Sequence, residues 1–261
     1  MITPMTTGSV NAGRQPMMRH EPATEESARI FQRRRHALVG TALFNSYFKQ
    51  ARLDELLRWA VTEFESVHVF LPDTTTAFTM QARGYPAVEA ERKTRREARR
   101  LRGKICGSLA MLGVASPEQM IIDFAWLNEN EEYLRTRDEV AEVFGADEDF
   151  RKACLAESES VARSRRRTDG ILTEEELNMA ARYLLAEIPL FVNAPAILGM
   201  PETVFCYHRI EPFERDLYRG AFALKAVPRQ GWVVVESASS EMVDAGAAAG
   251  SLPRPRTAGA L

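Results

Sequence analysis

Three features point to an α/β protein, a parallel sheet flanked by helices. Five short runs rich in apolar and β-branched residues, HALVGTAL (36–43), SVHVFLP (66–72), QMIIDFAW (119–126), TVFCYH (203–208) and GWVVVES (231–237), have the length and composition of buried strands. Helical periodicity separates them. It is clearest over 50–64, where Leu53, Leu56, Leu57, Ala60, Val61 and Phe64 recur at three- and four-residue steps and draw one apolar stripe. The third feature is size: 261 residues, 45% hydrophobic and 27% charged, suffice for the core of one domain. Strand, amphipathic helix and strand in succession imply a parallel pair with a right-handed crossover, the unit of a doubly wound sheet.

Ligands of such sheets bind beyond the carboxyl ends of the strands. The first run leads there: HALVGTALFNSYF (36–48) drives an apolar ribbon into a polar corner, Asn45-Ser46-Tyr47. Composition sets the limits of the domain. Residues 1–27 and 238–261 are rich in Thr, Pro, Gly, Ser and Ala without periodicity, so a disordered tail is expected at each end of a single domain over 28–237. Cys106, Cys154 and Cys206 lie far apart, without CxxC spacing or a nearby His cluster, and read as free thiols rather than a zinc site. No secretory signal or membrane-length apolar run is found, and a cytoplasmic protein is expected.

Net charge is −2, so affinity for a polyanion has to come from a local patch. EAERKTRREARRLRGK (89–104) is such a patch: Arg92, Lys93, Arg95, Arg96, Arg99, Arg100, Arg102 and Lys104 stand against Glu89, Glu91 and Glu97. The segment is either a solvated helix face with i,i+4 ion pairs or a surface for RNA, and its excess of one sign favours RNA. RSRRR (163–167) adds a smaller cluster.

TEEELNMAARYLLAEIPLF (173–191) opens with Thr173 and Glu176 in capping-box spacing, and the helix is expected to end near Pro189. Tyr183 and Glu187, four apart, project from one face beside Leu184 and Ile188. A carboxylate there needs a cation, either a surface arginine or a substrate ammonium. Tyr207 and His208 end the TVFCYH run, as packing or as catalytic groups. A serine hydrolase is disfavoured because GxSxG is missing, and a nicotinamide enzyme because GxGxxG is missing.

In order along roughly residues 30–237, HALVGTALFNSYF, LLRWAVTEFE, VFLPDT, the Arg-rich helix, EEYLRTRDEVAEVFGADEDFRKAC, YLLAEIPLF and VFCYH resemble the aminoacyl-tRNA-dependent cyclodipeptide synthases. Asn45, Tyr207 and His208 match the residues of the subfamily named for asparagine, tyrosine and histidine. The resemblance implies a Rossmann-like fold similar to the catalytic domain of class I aminoacyl-tRNA synthetases, without their ATP chemistry. The chain agrees, having no Walker loop and neither HIGH nor KMSKS.

The implied reaction joins amino acids from two aminoacyl-tRNAs into a 2,5-diketopiperazine by a ping-pong route, with no cofactor, metal or membrane involved. A serine takes the first aminoacyl group, the second aminoacyl-tRNA reacts with it, and the dipeptidyl-enzyme cyclises. By resemblance, Tyr183 and Glu187 hold the first ammonium, Tyr207 positions groups and relays protons, Asn45 organises the corner, and the Arg-rich helix holds the tRNA backbone. Leu38, Gly40, Phe70, Pro72, Phe124, Leu190 and Phe205 match the first aminoacyl pocket and imply a hydrophobic amino acid. Glu157, Ser164, Arg165 and Glu211 fall at second-pocket positions, where two carboxylates hint at a polar or cationic side chain.

The nucleophile position is Ala42. Thr41 is expected to point away from the pocket, as side chains alternate along a strand, and Ser46 has no such role in the family. Three readings follow: a serine replaced by design, a natural departure leaving a non-catalytic aminoacyl-tRNA-binding homologue, or a neighbouring hydroxyl that has taken over.

Overall fold

Strand order decides where this fold can hold a ligand. The computed structural model of the chain describes residues 18–163 and 171–237. In chain order the elements are β1 (Met18–Pro22), α1 (Glu25–Arg33), β2 (His36–Gly40), a 3-10 turn (Ser46–Phe48), α2 (Gln50–Glu63), β3 (Ser66–Leu71), α3 (Thr76–Ala82) and α4 (Ala87–Met111). There follow β4 (Ile121–Asp123), α5 (Phe124–Leu127), α6 (Glu131–Ala146), α7 (Glu148–Arg163), α8 (Glu174–Leu198), β5 (Thr203–Tyr207), α9 (Pro212–Tyr218) and β6 (Gln230–Ser237).

The sheet runs β1-β6-β5-β2-β3-β4, and every pairing is parallel except that of β1 with β6. From β2 the chain builds outward through β3 and β4, then returns to place β5 on the other side of β2. The order therefore reverses between β2 and β5, and a crevice opens at their carboxyl ends.

Both faces of the sheet are covered over its centre, so β2 and β3 are buried throughout while their side chains still alternate. Ala37 and Val39 face a core with α2 and α4, where Leu53, Leu57, Leu101 and Ile105 pack. Leu38 faces the other core with Phe70, Phe205, Trp232 and the helices α6 to α9.

Several expected boundaries move. The domain starts ten residues earlier than residue 28, because Met18–Pro22 pairs with β6 from Met18 opposite Ser237 to Pro22 opposite Val233. Residues 1–17 and 238–261 lie outside the described residues. The run 36–43 is a strand only to Gly40, and 119–126 only over Ile121–Asp123, after which Asp123 accepts from the Trp126 N–H and caps α5. The helix begun at the Thr173/Glu176 capping box does not end near Pro189; it continues to Leu198. Its break comes at Asn193, with non-helical φ −147°, two residues before Pro195. There the Ala194 N–H donates to Gln230 Oε1 at 3.0 Å, so a neighbouring side chain supports the kink. This is the one described helix long and apolar enough to cross a membrane, and most of its apolar stretch is buried inside the protein, as in a domain's core helix.

At the amino ends of the strands, His36 Nε2 and His68 Nδ1 are 2.9 Å apart, and His36 Nδ1 is 2.9 Å from Thr203 Oγ1. This buried chain ties β3, β2 and β5 together. Burial lowers both imidazoles, His36 with help from His68, and His68 falls from the ordinary 6.5 to about 4. A group held below its unfolded value takes up its proton more readily in the unfolded chain, so stability present above pH 6.5 is lost as pH falls towards 4. Thermal melts should therefore drop steadily from pH 7 to pH 5, and His68→Gln should flatten that slope; an equal slope in the variant would assign the acid sensitivity to other groups.

Candidate active site

A cleft of about 530 Å³ opens at the carboxyl ends of β2 and β5. Its existence rests first on a missing side chain. A Cβ on Gly40 would lie 2.7 Å from the Phe205 ring and 3.1 Å from that of Tyr207, closer than packed carbons approach. With hydrogen there instead, the two rings lie against the strand end, and Phe205 stacks on Trp232 at 4.7 Å.

The cleft brings together Ala42, Asn45, Tyr183, Glu187 and Tyr207 from β2's corner, α8 and β5. Asn45 caps the 3-10 turn, its Oδ1 accepting from the Tyr47 N–H at 2.9 Å, and it lines the cleft beside the Tyr207 phenol. Tyr183 and Glu187 lie one helical turn apart on α8, and the phenol favours the ionised carboxylate. Glu187 is 9% exposed, and burial raises its carboxyl to about 8, the Tyr183 hydrogen bond opposing and Glu214 adding to the rise. Among the described residues no arginine pairs with Glu187; Arg165–Arg167 lie outside them.

His208 does not line the cleft. Its ring stacks on Tyr47 at 4.3 Å and meets Tyr207 edge-on at the same distance, behind the phenol. Burial, then Arg209, lowers it to about 4, leaving a neutral imidazole that backs Tyr207.

At the corner the Thr41 hydroxyl is committed: it donates to the Phe70 carbonyl at 2.7 Å. Ser46 lies outside the cleft, in an adjoining hollow. Neither hydroxyl stands where Ala42 presents its methyl group. Phe44, between them, holds φ +58°, a left-handed conformation that costs a bulky residue about 1–3 kcal/mol.

Of the first-pocket residues, Phe70 and Phe205 line the cleft, while Leu38, Phe124 and Leu190 are buried with them in one apolar cluster behind it. Pro72 is buried and accepts from Thr76 Oγ1 at 2.9 Å. The wall is not wholly apolar, since Thr76 and Thr79 also contribute. Glu157 and Glu211 line the other end; Ser164 and Arg165 lie outside the described residues.

Sequence reasoning missed Arg83, Arg209 and Glu214. Glu214 is 7% exposed and accepts from the Glu211 N–H at 2.9 Å, and burial, with Glu157, raises it to about 7. The Glu-Pro-x-Glu capping spacing of residues 211–214 was the available signal. Four carboxyls thus share the cleft with the guanidiniums of Arg83 and Arg209, and Arg209 pairs with Glu211 at 2.7 Å. Among the described residues no group of three or more His, Cys, Asp or Glu side chains is placed to hold a metal.

The basic segment is the middle of α4. Arg92, Arg95, Arg96, Arg99 and Arg100 are exposed; Arg95 and Arg100 reach Glu91 and Glu97 at 3.6 and 3.8 Å. Lys93 pairs with Glu89 at 3.0 Å and lies over the Tyr85 ring. Arg102 departs from the expected phosphate-binding row: its helix position turns it inward, to Glu118 at 3.0 Å and to Asp123. Its charge is spent fastening α4 to the end of β4.

A Rossmann-like sheet with a polar cleft at its switch point, holding Tyr183 and a buried Glu187, and a helix of exposed arginines define an α/β ligand-binding fold. A cyclodipeptide synthase family model matches residues 18–237, and the chain belongs to that family. It is 35% identical to the cyclo(L-leucyl-L-leucyl) synthase of Bacillus subtilis, over 88% of this chain and 94% of that protein. It is 34% identical to the cyclo(L-leucyl-L-phenylalanyl) synthase of Streptomyces noursei, over 87% and 95%. A crystal structure of a cyclodipeptide synthase from Bacillus thermoamylovorans superposes with TM-score 0.79 at 30% identity, covering 84% of this chain and 96% of that one. A Mycobacterium tuberculosis structure, TM-score 0.75, 28% identity and coverage of 88% and 97%, was solved as demonstrating that cyclodipeptide synthetases are related to type I tRNA synthetases.

The Glu187 assignment has a direct measurement. A carboxyl that titrates near 8 is protonated at pH 6.5 and must ionise to hold an ammonium, so binding of an amino-acid amide should release about one proton. Calorimetry in buffers of different ionisation enthalpy should detect it, and Glu187→Gln should abolish it. Undiminished release in that variant would place the titration elsewhere.

Proposed function

We propose that this chain is built to take aminoacyl groups from two tRNAs and join them as a cyclic dipeptide, with the nucleophile position occupied by Ala42. The observation that carries the proposal is the buried Tyr183–Glu187 pair facing the β2 corner, in a chain of this family. A carboxylate there seats the α-ammonium and holds the ester carbonyl over residue 42.

With serine at 42, its hydroxyl adds to the first ester carbonyl, the bond to the tRNA ribose breaks, and the proton passes to the departing 3′-oxygen. The amine of the serine-held residue then attacks the second aminoacyl ester, releasing the second tRNA and leaving a dipeptidyl-enzyme. Its new terminal amine attacks the seryl ester, closes the ring and returns the hydroxyl. Tyr207, which lines the cleft with Asn45, lies beside the corner where these protons move. The two esters supply the energy, and no cofactor enters.

Alanine cannot perform the first step. That observation favours a second reading, a non-catalytic protein that binds aminoacyl-tRNA and keeps the ammonium seat and the exposed arginines of α4. Both readings go with the cytoplasm, where aminoacyl-tRNA is found. The phenyl walls of Phe70 and Phe205 suit a hydrophobic first amino acid, as do the leucyl and phenylalanyl products named for the relatives. Glu157, Glu211 and Glu214 suit a second side chain that donates hydrogen bonds or carries positive charge.

Expression in a bacterial host of the chain with Ala42 and of Ala42→Ser, with mass spectrometry of both media, decides between the readings. Cyclic dipeptide from the serine form alone supports the synthase; from neither, the binding protein; from both, a nucleophile other than residue 42. In an active Ala42→Ser background, Glu187→Gln should abolish product while changing tRNA affinity little. Replacing Arg92, Arg96 and Arg99 with Ala should weaken tRNA binding and reduce the slope of log K against log salt by about two to three. An unchanged slope would return these arginines to a solvated face.

A further inference from the structure

A hollow of about 330 Å³ adjoins the cleft. Both are lined by Ala42, Phe44 and Asn45, so they open on two sides of one corner. Lys49 after the 3-10 turn and Arg100 and Lys104 on α4 outweigh Glu97, which pairs with Arg100 at 3.8 Å, and leave its outer wall net basic. Lys49 is exposed and has no ion-pair partner among the described residues, while Lys104 donates only a long bond, 3.4 Å, to the Phe48 carbonyl. At the shared edge stands Phe44, half-buried and left-handed. The other described residue with positive φ that is not glycine, Arg34, is a helix C-cap, where that conformation is ordinary. Phe44 caps no helix. Strain at the rim of a site is retained where the side chain it places has work there.

We infer that this hollow receives the 3′-terminal nucleotides of the tRNA, the terminal base stacking on Phe44 and the adjoining phosphates lying beside Lys49 and Lys104. The inference rests on the reading of the chain as a user or binder of aminoacyl-tRNA. Once the aminoacyl group is in the cleft, the ribose bearing it is one ester bond from the corner, and the chain of nucleotides must leave past one rim or the other. The far rim carries Glu157 and Glu211, which repel phosphate, and of the cleft's two guanidiniums Arg209 is paired with Glu211 and Arg83 bonds the Val161 carbonyl. The near rim is basic, has an aromatic face and continues onto α4 towards the exposed Arg96 and Arg99. An aromatic platform flanked by cations is the usual seat of single-stranded RNA.

The test uses two RNA hairpins with a single-stranded 3′ end, one intact and one lacking its last nucleotide, with binding read by fluorescence anisotropy. The unsubstituted chain should bind the intact hairpin at least about five-fold tighter, the low end of what one stacked base contributes. Phe44→Tyr should keep that preference, Phe44→Leu should erase it while still binding both hairpins, and Lys49→Gln with Lys104→Gln should lower the salt dependence. Equal binding of the two hairpins by the unsubstituted chain, or a preference that survives Phe44→Leu, overturns the inference and leaves the tRNA reading standing. Failure to bind either hairpin overturns both.

Discussion

Residue 40 has no side chain, and the geometry of the site depends on that vacancy. β2 and β5 pair with Leu38 opposite Phe205, which brings Gly40 beside Tyr207. The Phe205 ring fills the space of a Cβ and continues into Trp232, while Phe191 meets both rings edge-on at 5.0 and 5.1 Å. One aromatic array thus joins β2, β5, β6 and α8 directly beneath the cleft. Tyr207 is held at its edge, beside Asn45, and the His208 ring packs against it from behind.

The cleft's charge is as constrained as its shape. Four buried or half-buried carboxyls in one cavity would repel strongly if all were ionised, and burial relieves this by raising Glu187 and Glu214 towards neutrality. The site therefore folds without a full set of buried charges. Substituting alanine for a hydroxyl at 42 touches none of this.

The parts legible in the sequence were those with a local signal. The apolar runs located five of the six strands, four-residue spacing put Tyr183 and Glu187 on one face, and the capping box marked the start of α8. β1 escaped because MRHEP is an edge strand with an exposed middle, and its pairing is encoded more than two hundred residues away in β6. The length of α8 escaped because its proline break is compensated by Gln230, a partner in a distant strand. Arg102 looked like its neighbours in the basic run; only the position of Asp123 shows that it faces inward. Glu214 sits on a seven-residue helix, too short for periodicity to reveal which side is buried.

The pairing of β1 with β6 fastens the first described residues to the last. Met18 lies opposite Ser237, so the strand made earliest on the ribosome cannot find its place until the whole domain has emerged. Until then Met18–Pro22 has no strand to pair with, and the central parallel strands assemble without it. Closing so long a loop is entropically slow, and it completes the sheet only after β5 and β6 are laid down. The order of synthesis thus makes the outer edge of β6 the last part of the native sheet to be covered, and a chain stopped short of β6 leaves its own first strand with nothing to pair with.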